Sequence, residues 1–105
     1  MNRKLFNPLT RIQTRGIKYN LSKELINFIW GKIDELNSIK VIDYLQVFEF
    51  RVKKNTLVIE HRQEVPKFKK KYILSNFNNI HKYDYMKIFV IDDFDYSIMM
   101  LASEY

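Results

Sequence analysis

Between residues 21 and 37 apolar side chains recur every three or four positions. Leu25, Ile29, Ile33 and Leu36 form one stripe, Ile26 lies beside it, and Phe28 and Trp30 fall on its opposite shoulders. The spacing predicts one amphipathic helix over about 21–37. Its wide apolar arc suits a lone helix lying across a sheet, with Lys23, Asn27, Lys32 and Asp34 left for solvent. Asn20 or Ser22 supplies its N-cap, accepting a hydrogen bond from an orphan backbone N–H. Ahead of it, residues 11–18 read as a short extended segment.

After Ser38 the period changes to two. Phe48, Phe50 and Val52 point one way while Glu49 and Arg51 point the other, and the alternation resumes over residues 57–62. With Lys53-Lys54-Asn55 as the turn, these runs predict an antiparallel hairpin that ends at Pro66, which cannot donate to a ladder. Residues 67–74 alternate again, with Phe68, Tyr72 and Leu74 on one face and Lys67, Lys69 and Lys71 on the other. So many lysines predict an edge strand. The stretch 75–84 is polar and reads as loop. Apart from Lys87 and Ser97, residues 86–91 and 97–102 are apolar on both faces, with turn chemistry in Asp92-Asp93-Phe94-Asp95 between them, so they are expected in the middle of the sheet. The fold class that follows is α+β: one domain over residues 1–105, with one main helix packed on an antiparallel sheet of about five strands. One helix covers one face. The other face is expected to take the N-terminal segment and loops, or a second subunit.

Composition supports a folded domain: 105 residues, 47% hydrophobic and 15% aromatic, with 2 Gly and 2 Pro. The absence of cysteine excludes disulfides, thiolate metal sites and cysteine nucleophiles. The basic N-terminus lacks the apolar run of a signal peptide, and no stretch approaches the ~20 apolar residues that span a bilayer, so a cytoplasmic protein without membrane contact is expected. The net charge of +6 is uneven: residues 1–20 carry five bases and no acid, residues 51–71 carry eight bases and two acids, and residues 84–105 carry one base and five acids. Such polarity suits an acidic partner surface or nucleic acid, and it equally suits lysines that keep a greasy domain soluble.

Three stretches carry a resemblance: residues 43–48 (Asp-Tyr-Leu-Gln-Val-Phe), residues 61–66 (His-Arg-Gln-Glu-Val-Pro), and residues 90–93 with 101–105. Together with Thr14-Arg15-Gly16 and the helix bearing Trp30, they resemble domain-of-unknown-function family nine-sixty, short proteins of Gram-positive bacteria, some of them travelling with mobile genetic elements. The chain departs from the family pattern at its last turn, with Phe94 where a glycine is expected and Tyr96 where a histidine is expected. The resemblance implies no established activity, and hence no catalytic residue. It does imply that the polar members of its motifs, Arg15, Gln46, His61, Gln63, Glu64, Asp92, Asp93 and Asp95, are the candidates for binding.

Those residues and their neighbours bear on metal binding and on nucleophilic or phosphate chemistry. Asp92, Asp93 and Asp95, with His61 and Glu64, offer oxygen and nitrogen ligands, but the turn lacks the glycine and distal glutamate of a calcium loop. Aspartate is an ordinary turn former, and His61 alternates with Leu57 and Ile59 as a rim-of-core histidine would. No nucleophile elbow or glycine-rich phosphate loop is present. The expectation is therefore a non-enzymatic binding or regulatory protein, without metal or cofactor, acting through a protein partner or a homodimer as a mobile-element accessory. The alternative is nucleic-acid association through the bases of residues 1–20 and 51–71, chiefly Arg51, Lys53, Lys54, Lys67, Lys69 and Lys71.

Overall fold

The computed structural model describes residues 5–75 and 77–105. In chain order the regular elements are β1 (Arg11–Gln13), α1 (Arg15–Asn20), α2 (Lys23–Ile39), β2 (Leu45–Lys53), β3 (Thr56–Gln63), β4 (Phe68–Leu74), β5 (Lys87–Asp92) and β6 (Ser97–Leu101). Short 3-10 turns cover Pro8–Thr10, Ile80–Tyr83 and Ala102–Glu104.

Helix α2 begins where Ser22 accepts the Leu25 N–H at 3.2 Å, so Ser22 rather than Asn20 is the cap. Its buried face is the predicted stripe, Leu25, Ile29, Ile33 and Leu36, with Trp30 at the shoulder. The helix runs two residues further than the pattern indicated, to Ile39, because Lys40 then turns extended. The extended reading of residues 11–18 needs correction: only Arg11–Gln13 is strand. Thr14 caps a separate short helix by accepting the Ile17 N–H at 3.3 Å, and Ile17 is driven into the core.

The sheet has six strands in the order β1-β6-β5-β2-β3-β4. It is mixed rather than wholly antiparallel, because β1 pairs parallel to β6, with Ile12 beside Ile98. The sixth strand lies within the segment expected to be extended, but three residues are too few to show a period and so to place it in the sheet. The other predicted pairings are present: β2 and β3 form the hairpin, joined by Lys54 and Asn55 at φ 47° and 63°, and lysine-rich β4 is an edge. The apolar strands β5 and β6 are interior, as expected. Phe94, in the turn between them, adopts φ 63°, the left-handed region where the family pattern expects glycine. The polar stretch after β4 is not all loop. Ile80 and Tyr83 are buried from its 3-10 turn, and Asp84 accepts the Val52 N–H at 3.0 Å.

A single core lies between the helices and one sheet face, built from Ile17, Leu21, Leu25, Ile29, Ile33 and Leu36 against Phe48, Phe50, Leu57, Ile59, Ile88, Val90 and Met99. The described part of the N-terminal segment, from Leu5, joins this side, which removes the first of the two covers expected for the far face. Phe6 is fully buried, its N–H donates to Asp92 at 3.0 Å, and Asn37 of α2 donates to the Leu5 carbonyl at 3.0 Å. Among the described residues no helix is long and apolar enough to cross a membrane.

Candidate functional site

The polar motif residues fall into two groups. Gln46, His61 and Gln63 lie on the core side of β2 and β3, all nearly or fully buried. His61 stacks on Phe48 with ring centroids 4.2 Å apart and 11° between planes, and Phe68 meets its edge. Its Nε2 lies 2.6 Å from Gln46 Oε1. Because an amide oxygen only accepts, Nε2 carries the proton and Nδ1 is left as an enclosed acceptor without a partner among the described residues. Gln46 Nε2 donates to Gln63 Oε1 at 2.8 Å and to the Asp43 carbonyl at 2.9 Å. Gln63 Oε1 also accepts the Asp43 N–H, while its Nε2 donates to the carbonyls of Val41 and Pro66. Burial, with some help from the Lys32 charge, lowers the His61 pKa from 6.5 to about 4. A neutral imidazole sealed from solvent cannot exchange protons with a substrate. The network braces the loops around Asp43 and Pro66.

The remaining motif residues do not converge. Asp92 turns inward to the Phe6 N–H, Asp93 and Asp95 are exposed in the turn, and Glu64 and Arg15 are exposed elsewhere. Among the described residues no three His, Cys, Asp or Glu side chains gather as metal ligands.

A different surface does converge, and sheet geometry dictates it. Side chains alternate faces along each strand, and paired residues share a face. On the face away from the helices, Ile12, Ile98, Ile91 and Leu45 form one row across four strands, and Met100, Phe89 and Val47 lie in the next. Val47 is buried by its neighbours. Leu45, Phe89, Ile91, Ile98 and Met100 are half-buried, and Tyr105 meets Phe89 edge to face at 5.6 Å. Beyond this apolar half the rows turn charged: Arg62 and Lys69 follow Val47, and Lys87, Glu49, Glu60 and Lys71 form the next row. Glu49 is the hub, bridged by Arg62 at 2.9 Å, Lys87 at 3.6 Å and Arg51 at 3.8 Å, and Arg62 also reaches Glu60 at 3.2 Å. The Arg62 hydrogen bond holds the Glu49 carboxyl below the usual range, outweighing its partial burial.

Of the predicted basic patch, Arg51, Lys53 and Lys71 come together with Glu49 and Glu60 around a hollow of about 200 Å³ on this face. Lys69 lies one row away, whereas Lys54 is in the hairpin turn and Lys67 precedes β4. Phe68 and Tyr72 face the helix side, Tyr72 meeting Phe28 edge to face at 5.5 Å, so neither ring can stack a base beside these lysines. The sequence reading passed over Glu49, Arg62, Lys87 and Phe89 as site residues. Alternation marks their face, but only the long-range β2–β5 register brings Glu49 opposite Lys87.

A model of the family described as staphylococcal protein of unknown function (DUF960) matches residues 10–104. No curated protein matches the chain. A crystal structure of a protein of unknown function from Enterococcus faecalis is similar over 100% of this chain and 98% of that one, with a TM-score of 0.84 and 21% identity, which speaks for the fold alone.

Proposed function

The chain belongs to this staphylococcal family of unknown function, and we propose that it is a non-enzymatic binding protein that contacts another protein through the helix-free face of its sheet. The observation that carries the reading is the row of exposed Ile12 and half-buried Ile98, Ile91 and Leu45, with Phe89 and Met100 behind it, on a sheet layer that no second layer covers among the described residues. Side chains of this size on an open face lose free energy by remaining wetted, about 25 cal/mol for each Å² of apolar surface, and a partner that excludes water recovers it.

Charge defines the partner's chemistry. The face carries six bases (Arg51, Lys53, Arg62, Lys69, Lys71 and Lys87) against Glu49 and Glu60. An apolar centre with an acidic rim complements it, whereas a second copy laid in register would set like charges together. The test is a photo-crosslinking residue placed at Ile91 and, as a control on the helix side, at exposed Tyr19, in cells that make the protein natively. A protein adduct from position 91 alone, whose purified component binds about tenfold more weakly to Ile91→Lys, supports the reading. Adducts only with itself or with nucleic acid, or equal yields from both positions, overturn it.

A further inference from the structure

We infer that a cavity of about 400 Å³ between β1, α1 and α2, on the opposite side of the molecule from that face, is a binding site for a small carboxylate with an apolar body. Its floor is Leu21, Ile26 and Trp30, its wall carries the Gln13 amide, and Lys18 and Lys23 stand exposed at its rim. Among the described residues no acidic side chain lines it. Volume and lining match what small-molecule sites need: a few hundred Å³, an apolar base and a few polar groups that fix orientation. Trp30 is 6% exposed and its indole Nε1–H, a donor enclosed by protein, has no hydrogen-bond partner among the described residues. A buried donor without an acceptor is unfavourable, so Trp30 is held at the floor by packing rather than by a hydrogen bond of its own.

The charge pattern selects the ligand's sign. Lys18 in the last turn of α1 and Lys23 at the start of α2 put two ammonium groups at the mouth, where a carboxylate can sit in partly wetted surroundings while its chain lies on Leu21, Ile26 and the part of Trp30 that the Arg11 guanidinium leaves uncovered. Ammonium groups favour a compact anionic head. The three apolar floor residues make a fully polar anion a poor fit.

The chain has one tryptophan, so its emission reports on this cavity alone. The probe is octanoate, titrated against the full chain, with octanol and acetate as the neutral and chainless controls. A saturable change in Trp30 emission with octanoate is expected, with octanol and acetate both much weaker. Lys18→Glu together with Lys23→Glu should weaken octanoate about tenfold or more while leaving the far-ultraviolet circular dichroism unchanged, since both lysines are exposed. No saturable response, an equal response to octanol, or unaltered binding by the charge-reversed variant would overturn the assignment. The outcome is independent of the crosslinking test on the sheet face.

Discussion

Glu104 occupies the space that a methyl group on residue 16 would need. Its Oε2 accepts the Gly16 N–H at 3.2 Å, and a Cβ added to Gly16 would lie 2.5 Å from the same oxygen. Its Oε1 meanwhile accepts the Thr14 hydroxyl at 2.7 Å and the Leu101 N–H at 2.8 Å. The carboxylate thus ties the start of α1 to the end of the chain, and the tie explains why Thr14-Arg15-Gly16 belongs with the terminal motif. Gly16→Ala should raise stability by about 0.5–1 kcal/mol through helix propensity once Glu104 is also Ala, and lose most of that gain when Glu104 is present. A double-mutant cycle by urea denaturation measures the difference, and additive effects would contradict the contact.

The same carboxyl has a lowered pKa, chiefly because the Thr14 hydroxyl donates to it, with help from the Leu101 and Gly16 amides. Its contribution to stability is therefore present above the ordinary carboxylate value and is lost as pH falls through the lowered one. Thr14→Val should move the Glu104 titration, followed by carbon NMR, back upward. An unchanged titration would remove the hydroxyl as the main cause.

His61 gives a wider pH dependence. The unfolded histidine takes its proton near pH 6.5, the folded one only near pH 4. Between those values the unfolded state binds more protons, so stability is full above about pH 6.5 and declines as pH falls toward 4, by on the order of 3 kcal/mol. His61→Leu is expected to be less stable at neutral pH, because Gln46 Oε1 loses its donor, and to lack this slope. Chemical denaturation of both proteins at several pH values checks it.

Gln63 uses both lone pairs of its oxygen and both hydrogens of its amide, on Asp43, Gln46, Val41 and Pro66. Gln63→Leu keeps the volume and strands a backbone N–H and a side-chain amide beneath the surface. A loss of about 2–4 kcal/mol is expected. Gln63→Glu retains the acceptor and loses the donor pair, so amide exchange at Asp43 should remain slow in that variant and quicken in Gln63→Leu.

The hairpin turn offers a gain. Lys54 and Asn55 both hold left-handed backbone, the geometry for which Asn-Gly is best suited. Asn55→Gly, or Lys54→Asn with it, should stabilise the protein by about 0.5–1 kcal/mol, raising Tm by roughly 4 °C in a domain of this size. A lower Tm would mean that Asn55 makes a contact worth more than the relieved backbone.

What the sequence disclosed follows from the range of each force. Helix α2 and the β2–β3 hairpin were legible because Leu25, Ile29 and Ile33, or Phe48 and Phe50, repeat often enough within one element to set a period. The interior placement of β5 and β6 was legible from their apolar residues on both faces. Strand β1 was legible only as part of an extended segment and helix α1 not at all, since these pieces of three and six residues are stabilised by partners far along the chain, Met99 and Glu104. For the candidate surface, the lack of alternation in β5 and β6 indicated an apolar far face. The Glu49 hub escaped notice because its partners arrive from three strands. The three-aspartate turn drew attention by adjacency in sequence, which says little about where each side chain goes.

The parallel pairing of Arg11 with Ser97 has a consequence in time. Joining residues so far apart costs about 4 kcal/mol of chain entropy before any contact rewards it. On the ribosome, Arg11–Gln13 is made early and stays without its neighbour until β6 follows, whereas β5 waits only for the few residues between it and β6. Strand β6 joins β1 on one side and β5 on the other in a single event, so the chain is at its most adhesive before that strand is placed.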